Sequence, residues 1–347
     1  MKTGYILVSG GSGYIGSHTC IELIENGYQP VIVDNLSNSD SQSLDRIEDI
    51  SGYRPTFYKI DLCDRKALDR IPKDIIFDGL IHFAAFKSVN ESVANPLMYY
   101  HNNLESLINV LHFCTERKIP HLVFSSSCTV YGDATELPVT EETPLQKPSS
   151  PYGNTKQISE SIITDYLKVH PELSSISLRY FNPAGAHPSA KNGELPQGIP
   201  NNLLPYLTQT AVGLRKELQV FGGDYNTKDG TAIRDYIHVS DLAEAHVKAF
   251  EYLMIDRMGS NYELFNLGSG HGYTVLEVIQ SYEKVSGQKL PYKIVDRRPG
   301  DIEKIWASAE KAEKILGFKP KRGIDEITRT AWEWEKHFRK NIEKSIS

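Results

Sequence analysis

The sequence predicts an α/β protein with a doubly wound parallel sheet and a smaller C-terminal α/β substrate-binding lobe. Strand-like and helix-like runs alternate from Tyr5 to Arg179, a pattern typical of parallel strands joined by crossover helices. A glycine-rich loop follows the first run, at the edge where such a sheet binds its ligands. After Arg179 the alternation weakens, and residues 183–205 are rich in Pro, Gly and Asn, which indicates a loop.

The glycine-rich loop begins after the apolar run Ile6-Leu7-Val8, which suits a strand buried on both faces. Gly10, Gly13 and Gly16 follow at three-residue spacing, and a helical pattern then continues to Asn26. Glycine permits the tight turn and the close backbone approach that a pyrophosphate needs at a helix N-terminus. The loop therefore predicts a phosphate-binding turn.

An acidic residue ends the second apolar run. Asp34 follows Val31–Val33, about 20 residues after the glycine loop, where an acid binds the adenosine ribose of a dinucleotide. A carboxylate accepts a hydrogen bond from the ribose 2′-hydroxyl and repels a 2′-phosphate. Together the two motifs predict a Rossmann-type site that prefers NAD to NADP.

Further strands and helices are predicted before and after residue 180. For the first part we predict the strands Thr56–Lys59, Gly79–Phe83, His121–Ser126 and Ser174–Arg179 and the helices Asp64–Arg70, Pro96–Arg117 and Pro151–Val169. For the remainder we predict Leu203–Gly213, Leu218–Phe221, Asp241–Leu253, Glu263–Leu267, Thr274–Ser286, Pro291–Val295 and Ser308–Leu316. Residues 1–180, to which 237–270 return, are predicted to form the NAD-binding domain, and 181–236 with 271–347 the second lobe.

The composition excludes several classes of function. The 347 residues carry a formal net charge of -6, which gives no electrostatic reason to expect nucleic acid or an anionic membrane as a partner. No apolar segment approaches the roughly 20 residues that span a bilayer. The four cysteines are far apart and form no CxxC pair, which favours reduced thiols and argues against disulfides or a zinc site. We therefore expect a cytoplasmic protein without a metal.

The second chemical signal is the pair Tyr152 and Lys156, which share one face of the helix that begins at Pro151. A nearby ammonium favours a phenolate, so the tyrosine is a candidate general base near neutral pH. The pattern Tyr-x-x-x-Lys is common by chance and often marks a surface pair. Here it follows a predicted dinucleotide site and a strand that ends in Ser125-Ser126-Ser127, which makes Ser127, Tyr152 and Lys156 the predicted catalytic residues.

Motifs along nearly the whole chain resemble the extended short-chain dehydrogenase/reductase family, and within it the nucleotide-sugar 4-epimerases. They are Gly10–His18, Asp34–Leu36, His82–Lys87, Ser125–Gly132, Ser150–Gly153, Arg179–His187, Pro200–Leu203 and Arg234–Val239. The resemblance implies interconversion of UDP-glucose and UDP-galactose, as in galactose metabolism, by transient oxidation at carbon 4, rotation of the 4-keto sugar and re-reduction. In this cycle Tyr152 is the base, Ser127 hydrogen-bonds the reacting oxygen, and Lys156 lowers the pKa of Tyr152 and holds the nicotinamide ribose.

The resemblance also assigns ligand contacts. Those to NAD are, besides Ser127, Tyr152 and Lys156, the residues Gly10, Gly13, Tyr14, Ile15, Gly16, Asp34, Asn35, Leu36, Ser37, Asn38, Ser39, Asp61, Leu62, Phe83, Ala84, Ala85, Phe86, Lys87, Asn102 and Phe181. Those to the nucleotide sugar are Ser127, Cys128, Thr129, Tyr152, Asn182, Asn202, Leu203, Gln219, Val220, Phe221, Arg234, Arg298, Asp301 and Ile305. Without the resemblance, an ion pair of Arg234 with Asp235 would be the default interpretation.

Three positions bear on the substrate. Family members that dehydrate the sugar carry an Asp-Glu pair where this chain has Cys128 and Thr129, which argues against dehydration. At Ile305 the resemblance implies a pocket wall near carbon 2, where a tyrosine excludes an N-acetyl group and a small residue admits it. An intermediate volume predicts slower activity on UDP-N-acetylglucosamine and UDP-N-acetylgalactosamine. A residue packed beside Trp306 without any such role is the alternative.

Three questions stay open from the sequence. Another nucleotide-sugar epimerase or a net oxidoreductase of the same family is an alternative function. A redox-sensing protein that binds the dinucleotide without chemistry is an alternative of a different class. The oligomeric state cannot be derived from spacing, although the family often forms dimers, and pairing of Pro96–Arg117 with Pro151–Val169 would suit a homodimer.

Overall fold

The computed structural model describes residues 4–255, 259–298 and 301–346, with side chains through Ile342. The strands are β1 (Tyr5–Ser9), β2 (Gln29–Asp34), β3 (Thr56–Lys59), β4 (Phe77–His82), β5 (His121–Ser127), β6 (Ser174–Tyr180), β7 (Asn182–Ala184), β8 (Leu218–Phe221), β9 (Ile233–His238), β10 (Tyr262–Leu267), β11 (Gly272–Thr274), β12 (Tyr292–Val295) and β13 (Lys304–Ile305). The α-helices are α1 (Tyr14–Glu25), α2 (Gln42–Ser51), α3 (Val89–Ala94), α4 (Pro96–Arg117), α5 (Pro151–Val169), α6 (Leu203–Ala211), α7 (Val239–Met254), α8 (Val275–Ser286), α9 (Glu310–Leu316) and α10 (Ile324–Ile346).

The central sheet is parallel, and among the described residues it has seven strands in the order β10-β6-β5-β4-β1-β2-β3. The strand order reverses beside β1, which places the carboxyl ends of β1 and β4 at the crevice where doubly wound sheets bind ligands. The predicted doubly wound Rossmann fold is confirmed. Strand β10 joins the sheet last. Between β6 and β10 the chain forms β7, α6, β8, β9 and α7.

Two apolar layers cover the faces of this sheet. Ile6 and Val8 pack into a core with residues of α1 and α7, whereas Leu7 between them packs on the opposite face with residues of α4 and α5. This alternation follows from the two-residue period of a strand. It explains why the short run Ile6-Leu7-Val8 is apolar at every position, as expected for a strand covered on both sides.

The second lobe has its own core. Its small sheets are β11-β9-β13, in which β7 also pairs with the later residues of β9, and the pair β12-β8. Helices α6, α8 and α10 supply the apolar cover, and the Tyr282 ring meets the Trp332 ring edge-on with 5.6 Å between centroids. Helix α8 begins with a capping box between Thr274 and Glu277, which satisfies backbone donors of its first turn.

The observed elements differ from the predicted ones in identifiable places. Helices α4 and α5 have the predicted bounds, whereas the predicted helix over Asp64–Arg70 is a 3-10 helix over Arg65–Arg70. Helices α2, α3 and α10 and a 3-10 turn over Cys128–Tyr131 are additional. Within the described ranges, every helix is too short or too polar to cross a membrane.

Candidate functional site

The glycine loop joins β1 to α1 with very little space for side chains. Gly10 has φ +71°, and a Cβ on it would lie 2.7 Å from the backbone nitrogen of Ala84. A Cβ on Gly16 would lie 2.3 Å from the carbonyl oxygen of Gly10, so the helix can pack against the loop only with glycine there. The first turn of α1 has no side-chain cap at Gly13 and no acidic residue, which leaves its N–H groups available to an anion.

Asp34 closes the other side of this turn. Its carboxylate accepts hydrogen bonds from the backbone N–H groups of Ser12 (3.1 Å) and Leu36 (2.8 Å) and from the Ser39 hydroxyl (2.9 Å). Burial raises the pKa of Asp34, and these three donors work in the opposite direction. The buried Ser12 hydroxyl has no partner in the described structure. A tight glycine turn, an uncapped helix N-terminus, an oriented carboxylate and an orphaned hydroxyl together fit a dinucleotide.

One cleft of about 600 Å³ connects this turn to the predicted catalytic residues. Ser127, Tyr152 and Lys156 all line it, together with every predicted NAD contact except Leu36. The Leu36 backbone N–H instead donates to Asp34. The predicted nucleotide-sugar contacts that line the same cleft are Ser127, Cys128, Thr129, Tyr152, Asn182 and Asn202.

The start of α5 brings Tyr152 to Ser127. The Ser150 hydroxyl accepts a hydrogen bond from the Gly153 N–H (3.2 Å), and Pro151 stands in the first turn, so the helix begins at a defined residue. A Cβ on Gly153 would lie 3.1 Å from the carbonyl oxygen of Thr129, so α5 packs closely on the 3-10 turn after β5. The first turn of α5 and the end of β5 are thereby fixed against each other.

Lys156 lies one turn further along α5 and is buried. Its Nζ donates to the carbonyl oxygen of Ser125 (2.6 Å) and lies 4.9 Å from the centroid of the Phe124 ring. Burial lowers the pKa of Lys156 to about 7, and the charge of Glu160 opposes this shift. The amine therefore changes charge near neutral pH.

Burial raises the pKa of Tyr152 to about 12, while a hydrogen bond with Ser127 acts in the opposite direction. The sequence predicts a lowered pKa for Tyr152, and the structure differs for a geometric reason. The Lys156 Nζ is 6.0 Å from the centroid of the Tyr152 ring and hydrogen-bonds to Ser125. In this position the Lys156 ammonium does not offset the effect of burial on the pKa of Tyr152.

A buried ion pair supports α5 from behind the cleft. Arg179 on β6 donates to both carboxylate oxygens of Glu160 on α5 (2.9 and 2.6 Å). The Ser126 hydroxyl donates to the same carboxylate (2.6 Å), and Arg179 also donates to the Tyr131 hydroxyl (3.1 Å). Such a bidentate, fully hydrogen-bonded pair fixes the positions of α5, β5 and β6 relative to one another.

The remaining predicted sugar contacts lie in the second lobe and do not line this cleft. Arg234 pairs with Asp301 (2.5 Å) and not with Asp235, and Arg298 contacts the same carboxylate (3.2 Å). The Arg298 guanidinium lies 4.7 Å from the centroid of the Phe221 ring. Leu203 begins α6, Gln219 and Val220 lie on β8, and residues 299–300 between Arg298 and Asp301 are outside the described residues.

Ile305 on β13 is buried behind the wall of the cleft, with 2% of its surface exposed. It packs in one apolar cluster with Cys128, Tyr131 and Phe181, and of these Cys128 and Phe181 line the cleft. A larger side chain at position 305 would therefore act by pushing Cys128 or Phe181 toward the cleft.

Sequence reasoning missed a group of cleft residues in the Pro-, Gly- and Asn-rich stretch. Asn192, Gly193, Glu194, Leu195, Pro196 and Gln197 line the cleft together with Ile199 and Asn201. The length of that stretch was the available signal, because long loops without secondary structure are often functional. No group of three or more His, Cys, Asp or Glu residues that could hold a metal ion occurs in the part of the chain that the structure describes.

Comparisons with known proteins agree with this geometry. The sequence profile of the family described as GDP-mannose 4,6 dehydratase matches residues 7–331. A UDP-glucose 4-epimerase of Bacillus subtilis (strain 168) is 50% identical over 330 residues, which cover 95% of this chain and 96% of that protein.

Two solved structures extend the comparison. A UDP-glucose 4-epimerase from Bifidobacterium longum in complex with NAD+ and UDP is 46% identical with a TM-score of 0.91, covering 96% of this chain and 98% of that one. One from Stenotrophomonas maltophila with bound NAD and formylated UDP-arabinopyranose is 43% identical with a TM-score of 0.94, covering 97% and 99%. The chain therefore belongs to the family of the UDP-glucose 4-epimerases, within the extended short-chain dehydrogenase/reductases.

Proposed function

We propose that this protein interconverts UDP-glucose and UDP-galactose by oxidising carbon 4 of the hexose and reducing it again with a tightly held NAD. The observation that carries the proposal is the single cleft in which the glycine loop and Asp34 meet Ser127, Tyr152 and Lys156. Nearly full-length similarity to UDP-glucose 4-epimerases supports the choice of substrate.

The protein groups handle the proton of the 4-hydroxyl. Tyr152 as a phenolate removes this proton, and the Ser127 hydroxyl hydrogen-bonds to the same oxygen. Held by the glycine loop, Asp34 and Lys156, NAD would supply the acceptor and donor for the hydride of carbon 4 and, when oxidised, a positive charge on its nicotinamide ring. Such a charge near Tyr152 would favour the phenolate against the burial that raises the pKa of Tyr152 to about 12. After the 4-keto sugar has turned its other face to the cofactor site, Tyr152 gives the proton back and carbon 4 is inverted.

The cleft disfavours two related reactions. Dehydration needs an acid and a base beside the sugar, and Thr129 and Cys128 supply neither, because burial raises the pKa of the Cys128 thiol to about 12. The Asp34 carboxylate, held by three donors, repels the 2′-phosphate of NADP.

The purified protein should convert UDP-galactose to UDP-glucose without added NAD. The cycle involves no net redox change, so the cofactor is regenerated in each turnover. We expect about one NAD per chain on denaturation after dialysis, and a constant absorbance at the nicotinamide band during turnover. A protein that released no nicotinamide nucleotide and turned over only with supplied NADP would contradict both the reaction and the role of Asp34.

The same proposal assigns the two ligands to different parts of the chain. Residues 1–180 with 237–270 would bind NAD, and residues 181–236 with 271–347 would bind the nucleotide sugar.

A cytoplasmic location suits the four cysteines, which form no disulfide. Cys63 is partly exposed and the other three are buried. We also propose a homodimer through α4 and α5, because Leu97, Ile108 and Val169 on these helices are exposed. Light scattering should give twice the chain mass of 39.1 kDa, and the monomer mass would contradict the dimer.

The size of the residue at position 305 should set the acceptance of N-acetylated sugars. Wild type is expected to use UDP-N-acetylglucosamine more slowly than UDP-glucose. Ile305→Tyr should widen this ratio of kcat/KM values by about 10–200-fold, because the added volume moves Cys128 or Phe181 into the cleft. Ile305→Ala should narrow the ratio. Kinetics of the three proteins with both sugars test this, and an unchanged ratio in Ile305→Tyr would remove Ile305 as a specificity residue.

A further inference from the structure

A segment of the second lobe lines the cleft near the glycine loop. Residues 191–197, here called the strap, follow β7 and precede α6. Six of them line the same cleft as the glycine loop and the loop after Asp34. A dinucleotide bound between these loops would therefore lie beside the strap.

The strap is tied to the first lobe at both ends. Near its start, the Asn192 side-chain amide donates to the Ser17 hydroxyl on α1 (2.9 Å) and its oxygen accepts from Arg46 on α2 (3.3 Å). At its end, the Gln197 side-chain amide donates to the carbonyl oxygen of Ser39 (2.9 Å), in the loop that also donates to Asp34. These contacts hold the strap against the first lobe, beside the glycine loop and the loop after Asp34.

Glu194 fastens the middle of the strap to both lobes at once. One oxygen of its carboxylate accepts from the Lys87 ammonium after β4 (3.0 Å) and from the Asn202 side-chain amide before α6 (2.7 Å). Its backbone carbonyl accepts from the Trp334 indole N–H on α10 (3.1 Å). Gly193 packs so closely on the Trp334 ring that a Cβ there would lie 2.5 Å from it.

Of the charged groups in this contact, the Glu194 carboxylate is the more deeply buried. The Glu194 side chain is 12% exposed, whereas the Lys87 side chain is 45% exposed. Loss of the carboxylate would leave Lys87 hydrated and would not create a buried unpaired charge, so the fold should tolerate the change. The hydrogen bond of Asn202 and the ion pair of Lys87 would both be lost.

We propose that the strap retains the dinucleotide during turnover and that Glu194 is the positioning residue that fastens it. The inference rests on the proposed function and deepens it, because a cofactor regenerated in each cycle has to stay in place while the sugar nucleotide is exchanged. Glu194 acts through Lys87 and Asn202 and takes no part in the transfer of hydride or proton.

The test measures cofactor retention in the whole protein. Glu194→Ala should release NAD about 10–100-fold faster than wild type, the effect of one charge-assisted hydrogen bond. Its activity without added NAD should fall after dialysis and return when NAD is supplied. Glu194→Gln, which keeps an oxygen acceptor without the charge, should release NAD at an intermediate rate, and Gln197→Ala should accelerate release independently.

The matched control is Glu283→Gln on α8, whose carboxylate also accepts from a lysine, Lys289 (2.7 Å), but lies outside the cleft. It should release NAD like wild type. If Glu194→Ala retains NAD as long as wild type, or if its lost activity is not restored by NAD, the strap has no retaining role. A wild-type protein that carries no NAD and does not convert UDP-galactose would instead overturn the proposed function.

Discussion

Tyr152→Phe should lower kcat by about 10²–10⁴-fold, the usual cost of removing a positioned general base. The phenolic oxygen is the group expected to take the proton from the sugar 4-hydroxyl. The substitution keeps the ring that packs at the start of α5 and removes one buried hydroxyl, so the fold should persist. NAD content should change little, because the glycine loop and Asp34 are untouched, and the affinity for UDP should change little, because the predicted contacts Arg234 and Arg298 are untouched.

The control for this substitution lies on the same helix. Tyr166→Phe removes a hydroxyl that contacts Thr115 (2.5 Å) and the Leu111 carbonyl (3.3 Å) at the far end of α5. Steady-state kinetics should give a wild-type kcat for this variant. Comparable kcat values for wild type and Tyr152→Phe would exclude Tyr152 as the base.

Lys156→Met should lower kcat by about 10²–10³-fold, a typical cost of losing one preorganised electrostatic group, and should also weaken the binding of NAD. The substitution keeps the apolar stem and removes the ammonium that donates to Ser125. Lys168→Met, at the exposed end of α5, is the matched control, with its ammonium 2.7 Å from Asp165. Equal NAD content in Lys156→Met and wild type would contradict the role of Lys156 in holding the nicotinamide ribose.

The pH dependence of NAD binding separates Lys156 from its neighbours. Burial lowers the pKa of Lys156 to about 7 and that of His82 to about 3, and it raises the pKa of Tyr152 to about 12. Of these three groups, only Lys156 titrates near neutrality, and it is positive below about pH 7 and neutral above. The affinity of NAD-stripped protein for the anionic cofactor should therefore fall as pH rises through about 7. Titration of Lys156→Met should show no such fall.

Local patterns predicted those parts of the fold that local interactions determine. Pro96 and Pro151 each stand at the first turn of a long helix, and both helices have the predicted bounds. The sequence does not predict helix α2, because its stretch is mostly polar and its two apolar residues, Leu44 and Ile47, become buried only in the core that they share with α1. A short surface helix has few apolar residues, and only the folded structure shows which core those residues join.

In the candidate site, too, the residues of local motifs were predictable and those placed by distant contacts were not. The glycine spacing, Asp34 and the Tyr-x-x-x-Lys pair are short patterns tied to one chemistry, and all of these residues line the cleft. The strap depends on contacts between distant residues, such as Gln197 with Ser39 and Glu194 with Lys87. No periodicity or motif in residues 191–197 records such contacts. Burial, which raises the pKa of Tyr152, depends on the whole fold and has no short sequence pattern.

The most direct test of the account follows carbon 4 itself. UDP-galactose is converted in D2O without added NAD, and proton NMR of the UDP-glucose formed reports the hydrogen bound to carbon 4. The account predicts protium at that position, because the hydride removed from carbon 4 returns to the same carbon without contact with solvent. Deuterium at carbon 4 would show that the hydrogen leaves as an exchangeable proton, and it would contradict transient oxidation by a bound NAD.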